Sequence, residues 1–272
     1  MQNFSASPKE MVASLWRNRE LIRVLTQREV LGRYRGSFFG ILWSFFNPLF
    51  MLAVYTFVFS VVFKARWGGG SDSKSEFALV LFAGLMVFNL FSECINRAPG
   101  LILANVNYVK KVVFPLEILP WVALGTSLFH GVVSLSVWLL AYAIFFGIPH
   151  LTVLYLPLII LPLTLFIIGL SWFLAALGVY LRDISQLIGV GTTVMMFMSP
   201  VFYSAKALPE GYRNLLYLNP LTPPIEQTRA VLYWGQMPDM GLFLVCLLAS
   251  LCVAWLGFVW FQKTRKGFAD VL

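Results

Sequence analysis

Residues 28–48 read REVLGRYRGSFFGILWSFFNP and pass from dense positive charge to dense aromatic side chains without an intervening linker. Arg28, Arg33 and Arg35 lie at one end of this stretch. Five aromatic residues follow directly: Phe38, Phe39, Trp43, Phe45 and Phe46. A water-soluble domain distributes its charges over its surface, whereas a segment that enters a membrane separates them from its apolar part. The stretch therefore predicts the boundary of a transmembrane segment.

The composition of the whole chain supports this interpretation. Hydrophobic residues make up 59% of the 272 residues and charged residues only 12%, against about 25% charged residues in ordinary soluble domains. The mean hydropathy is +0.80. The chain has too few charges to cover the surface of a soluble core.

The charges that are present cluster and leave long apolar runs. A helix needs about 20 apolar residues to cross the hydrocarbon core of a membrane. Five runs reach that length, the second of them only when its polar end is included: Gly36–Phe63, Phe77–Asn96, Ile118–Leu181, Ile184–Ala205 and Met240–Gln262. Ile118–Leu181 is long enough for two spans, and we expect it to fold back at residues 147–150, Gly-Ile-Pro-His. The sequence therefore predicts an all-α polytopic membrane protein with six transmembrane helices.

The distribution of the 20 basic residues predicts the orientation of these spans. An even number of spans places both termini on one side, and most of the basic residues fall in the segments on that side. Because basic loops are retained in the cytoplasm, we expect both termini to be cytoplasmic. The net charge of +8 then indicates topology rather than nucleic-acid binding. No segment before residue 36 resembles a cleaved signal peptide.

Residues 1–37 are expected to form a cytoplasmic N-terminal segment, ahead of a transmembrane domain at 38–272. The sequence Ser7-Pro8-Lys9-Glu10 predicts the start of a helix over residues 7–31, because it combines a capping box with proline at the first helical position. Apolar residues then share one stripe of this helix, beside several arginines: Met11, Leu15, Ile22 and Leu25. Such an amphipathic helix suits an interface with anionic lipid headgroups. A solvated helix leading into the first span is the alternative.

Two other segments on the cytoplasmic side are too polar to span the membrane. Arg97–Pro115 contains a short apolar stretch, the Lys110-Lys111 pair and a terminal proline, which fits a short helix that docks against a partner. The turn between two later spans carries Arg182 and Asp183. These two residues form either a solvated ion pair worth under ~1 kcal/mol or a contact for a partner.

The segment Ser199–Pro238 on the outer side is rich in proline. The apolar spacing between its prolines predicts two short amphipathic helices, at about Pro209–Leu218 and Pro224–Trp234. Non-helical backbone at membrane depth is tolerated only where protein or water covers it. The two helices therefore fit a re-entrant gate over the outer mouth of a passage, and two ordinary surface helices are the alternative.

The sequence carries no motif for catalysis or nucleotide binding. The phosphate-binding pattern G-x-x-x-x-G-K-[ST] is absent, and we expect no enzyme activity, no metal and no cofactor in this chain. Ion-coupled transporters use buried charges as relays, which are also missing. A transport protein of this kind requires a separate ATPase subunit, which would carry the ATP and Mg.

The few titratable residues near the spans have structural interpretations. Glu93 and Glu117 lie close to span ends, where pairing with Lys110 or Arg97 is the simplest expectation. His130 has no carboxylate companion in the sequence, and we expect it to form a hydrogen bond within the helix bundle.

Six stretches occur in order along nearly the whole chain: RYRGSFFGILWSFFNPLF at 33–50, NVNYVKKVVFPLEILP at 105–120, GVYLRDISQLIGV at 178–190, SPVFY at 199–203, YLNPLTPPIEQTR at 217–229 and KGFADVL at 266–272. With these stretches and six spans, the chain resembles the membrane subunit of ABC type-2 exporters, and more narrowly the permeases that export lipid-linked O-antigen, capsule or teichoic acid. The resemblance is specific for the family and less specific for the substrate.

The resemblance implies an arrangement and a cargo. It implies a homodimer in the bacterial inner membrane, bound to two copies of a nucleotide-binding ATPase subunit. The cargo would be polysaccharide on an undecaprenyl-type lipid, with O-antigen as the first expectation. The resemblance also assigns ATPase contacts to Lys110, Lys111, Arg182 and Asp183. It places Tyr203, Tyr212, Tyr217 and Arg229 in the outer gate.

Aromatic residues repeat at helical spacing along the first span: Phe39, Trp43, Phe46 and Phe50, followed by Tyr55 and Phe59. We expect these rings to line the passage, because aromatic faces suit the apolar faces of sugars; packing or lipid contact is the alternative. Arg33 and Arg35 are candidates for binding the diphosphate of the lipid carrier, because an arginine fork matches the geometry of a phosphate.

Three other functions remain open from the sequence. A drug or small-lipid exporter of the same fold would need a narrower passage. A secondary transporter requires buried titratable groups, and a membrane glycosyltransferase requires acidic or histidine clusters at the membrane face. The sequence supplies neither of these.

Overall fold

The structure is a computed structural model that describes residues 5–58, 74–110, 114–205, 209, 211 and 216–272. Within those ranges the regular structure is helical and contains no strand. The predicted all-α fold class is therefore confirmed for this part of the chain.

Two helices precede the first apolar span: α1 (Pro8–Arg17) and α2 (Arg19–Tyr34). The predicted start is confirmed, because the backbone amide of Glu10 donates to the Ser7 hydroxyl at 3.2 Å. Asn18 divides the predicted single helix in two, since its backbone leaves the helical region at φ −101°, ψ 12°.

The predicted apolar stripe of this segment lies against the helix bundle. Leu25 is buried against Ile118 and Val122 at the start of a later span. Trp16 and Val12 point away from the bundle and are largely exposed. The segment is therefore apolar on the side that packs and also exposes four large apolar side chains: Val12, Trp16, Val24 and Leu31.

Five helices in the described ranges are long and apolar enough to cross a membrane: Gly40–Val58, Ser75–Gly100, Leu116–Phe146, Leu151–Tyr180 and Met240–Val271. Their main α-helical parts are α3 (Trp43–Tyr55), α4 (Lys74–Arg97), α6 (Leu119–Phe146), α7 (Leu156–Tyr180) and α10 (Met240–Thr264). Shorter helices lie between and after them: α5 (Val106–Lys110), α8 (Ile184–Met198), α9 (Thr222–Leu232) and α11 (Phe268–Val271).

Helix α8 corresponds to the remaining predicted span and has 15 residues. It ends at Met198 because Ser199 adopts extended backbone with ψ 151°, as expected for a residue that precedes proline. Five of the six predicted spans are thus confirmed as span-length helices, and a crossing at Ile184–Ala205 stays a prediction.

Helix α4 forms the centre of the bundle and packs on α6, α7, α8 and α9. On α6, the buried indole N–H of Trp138 donates to the carbonyl oxygen of Leu79 at 2.9 Å. A buried tryptophan needs such a partner for its single polar atom. This hydrogen bond fixes the contact between α4 and α6.

Helices α7 and α10 pack closely at two glycines. A Cβ atom on Gly169 would lie 2.5 Å from the carbonyl oxygen of Val253, and one on Gly257 would overlap the carbonyl oxygen of Gly169. Helices in membranes approach closely where their contact residues are small. A side chain at either position would force the two backbones apart.

The predicted turn at residues 147–150 is confirmed. Helix α6 ends at Phe146, and Gly147 adopts φ 88°, a conformation that glycine reaches without a steric penalty. Helix α9 corresponds to the second predicted outer helix, Pro224–Trp234, and begins with prolines in its first turn. Half of the first predicted outer helix, Pro209–Leu218, lies outside the described residues.

A buried carboxylate connects the two ends of the chain to the third span. Glu117 accepts a hydrogen bond from the Ser14 hydroxyl at 3.0 Å and pairs with Arg265 at 2.6 Å. Arg265 also donates to the carbonyl oxygen of Phe114 at 2.9 Å. A buried charge needs both a partner and hydrogen bonds, and Glu117 has both. The junction therefore holds α1 and the end of α10 against the same point.

Candidate functional site

Three of the span-length helices, α3, α4 and α6, enclose a cavity of about 350 Å³. Arg33 and Tyr34 at the end of α2 also line it. The three span-length helices contribute apolar side chains and also several neutral polar ones, which include Ser44, Asn47, Asn89, Ser92, Ser127 and Ser134. We call this site the polar cavity.

A charged cluster lies on the wall of the polar cavity. The Glu93 carboxylate pairs with Arg33 at 2.5 Å and lies 3.0 Å from Nδ1 of His130. The Tyr34 hydroxyl lies 3.1 Å from Nε2 of the same ring. A carboxylate only accepts, so in the neutral ring Nδ1 carries the proton and Nε2 accepts from Tyr34. The prediction that His130 forms a hydrogen bond within the bundle is confirmed.

A second ion pair joins α2 to α4. Arg97 near the end of α4 pairs with Glu29 of α2. Both ion pairs line a neighbouring cavity of about 600 Å³, which shares Arg33 and Glu93 with the polar cavity. Helix α2 is therefore attached to α4 at two points along connected cavities.

The observed partners of the two glutamates differ from the expectation. Glu93 pairs with Arg33, and Glu117 pairs with Arg265. The simplest sequence expectation was wrong because it considered only basic residues close in the chain. Helix packing instead brings together groups 60 and 148 residues apart.

The predicted aromatic stripe forms a continuous set of ring contacts from Phe39 to Phe50. The ring centroids are 5.6 Å apart for Phe39 and Trp43, 5.6 Å for Phe39 and Phe46, and 6.5 Å for Phe46 and Phe50. The outermost ring, Phe50, is 60% exposed on the single chain. The four rings thus form one exposed face of the first span.

Tyr55 lies apart from this stripe. It follows Phe50 by five residues, which turn a helix by about 500° and so place the two side chains about 140° apart. Tyr55 lines the polar cavity instead. The predicted Phe59 lies outside the described residues.

The predicted ATPase-contact residues belong to two segments that meet in space. Tyr108, two residues before Lys110, and Ser185, two residues after Asp183, line one cavity of about 520 Å³. Arg182 and Asp183 are exposed in the turn between α7 and α8. The Lys110 ammonium donates to the carbonyl oxygen of Leu272. Lys111 lies outside the described residues.

Arg229, assigned to the outer gate, is fully buried. Its guanidinium donates to the carbonyl oxygens of Val80 at 3.0 Å, Pro200 at 2.5 Å and Val201 at 2.7 Å. It also pairs with Glu226 at 2.9 Å. Burial lowers the pKa of Arg229 to about 10, so the group stays charged at neutral pH. Arg229 therefore fastens α9 to α4 and to the backbone that follows α8.

The tyrosines assigned to the outer gate have different surroundings. The Tyr203 hydroxyl donates to the carbonyl oxygen of Phe197 at 3.3 Å, and burial raises the pKa of this phenol. Tyr217 is exposed at the edge of an apolar cavity of about 240 Å³ between α7, α9 and α10. Tyr212 lies outside the described residues.

The polar cavity is absent from the sequence-based predictions, although the sequence contains a signal for it. Polar residues recur three or four positions apart inside apolar spans, as in Ser44 and Asn47, or Ser127, His130 and Ser134. Such spacing places them on one helix face. The sequence-based predictions considered only charged residues near the spans. They missed this pattern because most residues that line the cavity are uncharged.

The chain matches the family described as ABC-2 type transporter over residues 20–233. It is 30% identical over 262 residues to the O-antigen export system permease protein RfbA of Myxococcus xanthus, covering 96% of this chain and 98% of that protein. An RfbA protein of Klebsiella pneumoniae is 25% identical, covering 93% of this chain and 95% of the relative.

Capsule proteins are similar as well. The capsule polysaccharide export inner-membrane protein CtrC of Neisseria meningitidis serogroup B is 25% identical, covering 93% of this chain and 94% of that protein. The similarity to both groups extends over nearly the whole chain, so it includes most of the N-terminal segment, the apolar helices and the proline-rich segment Ser199–Pro238.

Proposed function

Because this chain belongs to the ABC-2 type transporter family, we propose that it is the permease subunit of an ATP-driven exporter of lipid-linked polysaccharide, with O-antigen as its cargo. As a member of this family, the chain is a transport subunit and not an enzyme. The observation that carries the proposal is the near-full-length similarity to proteins named O-antigen export permeases.

The proposed arrangement has six crossings, with α8 as the fifth, and both termini in the cytoplasm. We place the protein in the bacterial inner membrane as a homodimer with two copies of a separate ATPase, which binds ATP and Mg. The apolar side chains that α3 and α8 expose on a single chain support the homodimer, because lipid or a second copy must cover them. Phe50 and Phe197 are examples.

Contact with the ATPase is assigned to Lys110, Lys111, Arg182 and Asp183. The exposure of the Arg182–Asp183 turn supports this assignment. The short helix α5 and the segment after this turn border a common cavity. A single partner could therefore contact both segments. Such a shared contact suits the transfer of motion from an ATPase to the spans.

The path of the polysaccharide is assigned to the aromatic stripe and the outer segment. Four rings from Phe39 to Phe50, three of them exposed and Phe46 partly buried, provide apolar faces for successive sugars. Arg33 and Arg35 are proposed to meet the diphosphate of an undecaprenyl-type carrier. Two re-entrant helices would gate the outer mouth, with Tyr203, Tyr212 and Tyr217 on them or beside them and Arg229 as their anchor.

A capsular polysaccharide is the second candidate for the cargo. The similarity to CtrC and to the polysialic acid transport protein KpsM of Escherichia coli favours it. The RfbA proteins match as much of the chain as CtrC does, and the RfbA of Myxococcus xanthus is more similar, at 30% identity against 25%. We therefore propose O-antigen as the first candidate for the cargo. A teichoic acid or a small lipid has no comparable support.

Deletion of the gene tests the proposal. Cells without this permease are expected to lose surface O-antigen and to accumulate the lipid-linked polymer inside, as measured by immunoblotting of intact cells and of extracted glycolipids. Expression of the chain from a plasmid should restore the surface polymer. The matched control inactivates the nucleotide site of the partner ATPase and should give the same loss. Unchanged surface polysaccharide of every class after deletion would refute the proposal.

A further inference from the structure

Polar stripes on three spans converge on the polar cavity. Helix α3 contributes Ser44 and Asn47, and α6 contributes His130 and Ser134. The stripe on α4 combines Asn89, Ser92 and Glu93, which are spaced as residues of one helix face. A helix face that meets lipid or a packed neighbour in a membrane is normally apolar or small. Three aligned polar faces therefore indicate a site that receives something polar.

Two carboxamides, on Asn47 and Asn89, line this cavity. Among the residues that the structure describes, neither the Asn47 nor the Asn89 side chain forms a hydrogen bond within the chain, and both are exposed. Both lie inside span-length helices. An unpaired amide in hydrocarbon is costly. These amides consequently require water or a polar ligand.

The lining matches the chemistry of a sugar. Amide and hydroxyl groups both donate and accept hydrogen bonds, as the hydroxyl groups of a sugar also do. Tyr55 adds an aromatic wall, and Arg33 supplies a cation beside this neutral lining. The volume of about 350 Å³ falls in the range of ~300–1,000 Å³ that is usual for small-molecule sites.

The ion pair at the edge of the cavity is exchangeable. The Arg33 side chain is 54% exposed, so its pairing with Glu93 contributes little free energy. A phosphate offers Arg33 a bidentate partner with greater charge. Glu93 keeps His130 as its other partner, 3.0 Å away, when Arg33 turns to the phosphate.

We propose that the polar cavity binds the glycosyl phosphate end of the lipid-linked polymer, with Asn47 and Asn89 contacting hydroxyl groups of the sugar and Arg33 contacting the phosphate. This inference rests on the proposed function and deepens it. It assigns the recognition of the first sugar to the space between α3, α4 and α6, apart from the exposed aromatic stripe.

Filling the cavity provides the first test. A Cβ on Gly131, which lines the cavity, meets nothing within 4 Å, so this position has room for the start of a side chain. Gly131→Leu places a larger apolar group at the cavity wall and improves helix propensity. Export of surface polymer by the complete permease–ATPase complex is expected to fall about tenfold or more, because the sugar loses its site. The matched control, Ala143→Leu, lies exposed on the same helix and should export normally. Equal export by both variants, at equal membrane levels, would overturn the proposal.

Photo-crosslinking from the cavity wall provides the second test. A small diazirine-bearing amino acid is introduced at Ser134, which lines the cavity, because a bulky photoreactive residue would itself fill it. The control position is Ser136, which is exposed on the same helix and turned by about 200°. After irradiation of cells that make the polymer, a saccharide adduct is expected at 134 and not at 136. It should disappear in a strain that cannot start the polymer.

The remaining outcomes separate the two proposals. An adduct at 134 that contains only phospholipid, or no adduct there while export continues, would overturn the polar cavity as a sugar site and leave the exporter intact. If deletion of the gene leaves surface polysaccharide unchanged, the proposed function fails, and the sugar site fails with it.

Discussion

Arg229 is the residue whose surroundings differ most from what its position in the sequence suggests. A charge in a proline-rich outer segment is expected to face water, yet its guanidinium is 0% exposed and has three backbone carbonyl partners. The carbonyl oxygens of Pro200 and Val201 belong to a turn that follows the extended residue Ser199 at the end of α8. Arginine supplies enough donors to serve several carbonyls at once, so one side chain organises this irregular backbone.

Removing this guanidinium is expected to destabilise the protein strongly. Arg229→Met leaves three carbonyl oxygens and Glu226 without this donor, and each buried acceptor left unsatisfied costs about 1–3 kcal/mol. Arg229→Lys keeps the charge but has fewer N–H donors, so its unfolding temperature should lie between those of the unchanged protein and Arg229→Met. The thermal unfolding of the purified protein in detergent measures the effect. Arg182→Met, at an exposed position, serves as the control, and equal unfolding temperatures for Arg229→Met and the control would contradict this role.

The basic junction before the first span gives a second prediction for individual residues. In the Arg33→Gln, Arg35→Gln double variant, export should fall roughly tenfold to a hundredfold, because a hydrogen bond to a charged group contributes about 1.5–3 kcal/mol. Surface polymer is measured together with the accessibility of cysteines placed in the loops, which reports topology. Normal export with normal topology would exclude these arginines from phosphate binding. Arg19→Gln, in the exposed part of the N-terminal segment, is the control.

Single residues show what sequence reasoning can and cannot supply. The cap at Ser7 and the turn at Gly147 were predictable because each depends on neighbours in the chain. The partners of Glu93 and Glu117 were not, because they are fixed by which helices pack together. The lining of the polar cavity lies between these cases: its helical spacing is visible in the sequence, but the convergence of three spans is not.

At the level of helices, the contact between α7 and α10 depends on two small residues. Gly257→Ala should destabilise the protein, because the added methyl group overlaps the carbonyl oxygen of Gly169 and backbone cannot give way as a side chain does. Helix propensity alone predicts the opposite sign, since alanine is favoured over glycine by about 1 kcal/mol.

Gly191→Ala separates the two effects. A Cβ at Gly191 meets nothing within 4 Å, so this control gains propensity without a clash and should keep or raise the unfolding temperature. The recovered monodisperse fraction and the thermal midpoint measure both variants. A Gly257→Ala protein as stable as the Gly191→Ala protein would show that the two helices can separate without cost.

The observed helix ends agree with the predicted ones where charged residues or glycine bound the apolar run, and they differ at α8 and in the N-terminal segment. The four long apolar runs that became span-length helices are bounded by charged or turn residues. Helix α8 is shorter than its apolar run because proline at position 200 stops it, although the following residues stay apolar. The N-terminal helix is divided at Asn18, where the backbone leaves helical geometry.

For the whole molecule, transport must depend on a second protein. Vesicles that contain only this permease are expected to move no lipid-linked polysaccharide against a gradient, because the sequence has no phosphate-binding loop. Vesicles that also contain the ATPase should do so with ATP and Mg. The labelled polymer protected inside inverted vesicles is the measurement. Uphill transport by the permease alone would contradict the proposed division of labour.

The sequence predicts the class of the whole molecule but not how its helices pack. Composition and charge distribution were sufficient to predict a helical membrane protein, because those properties are set by the solvent around it. The two ion pairs between α2 and α4, and the polar cavity that Arg33 and Glu93 border, depend on helix packing that cannot be derived from one sequence.

The brevity of α8 has a consequence for the surrounding lipid. Fifteen residues rise about 22 Å, whereas the hydrocarbon layer measures about 30 Å. For α8 to cross, acyl chains beside it must compress, and such hydrophobic mismatch costs fractions of a kcal/mol per Å. If α8 crosses, short-chain lipids reduce this mismatch and long-chain lipids increase it, so the rate of export is expected to depend on membrane thickness.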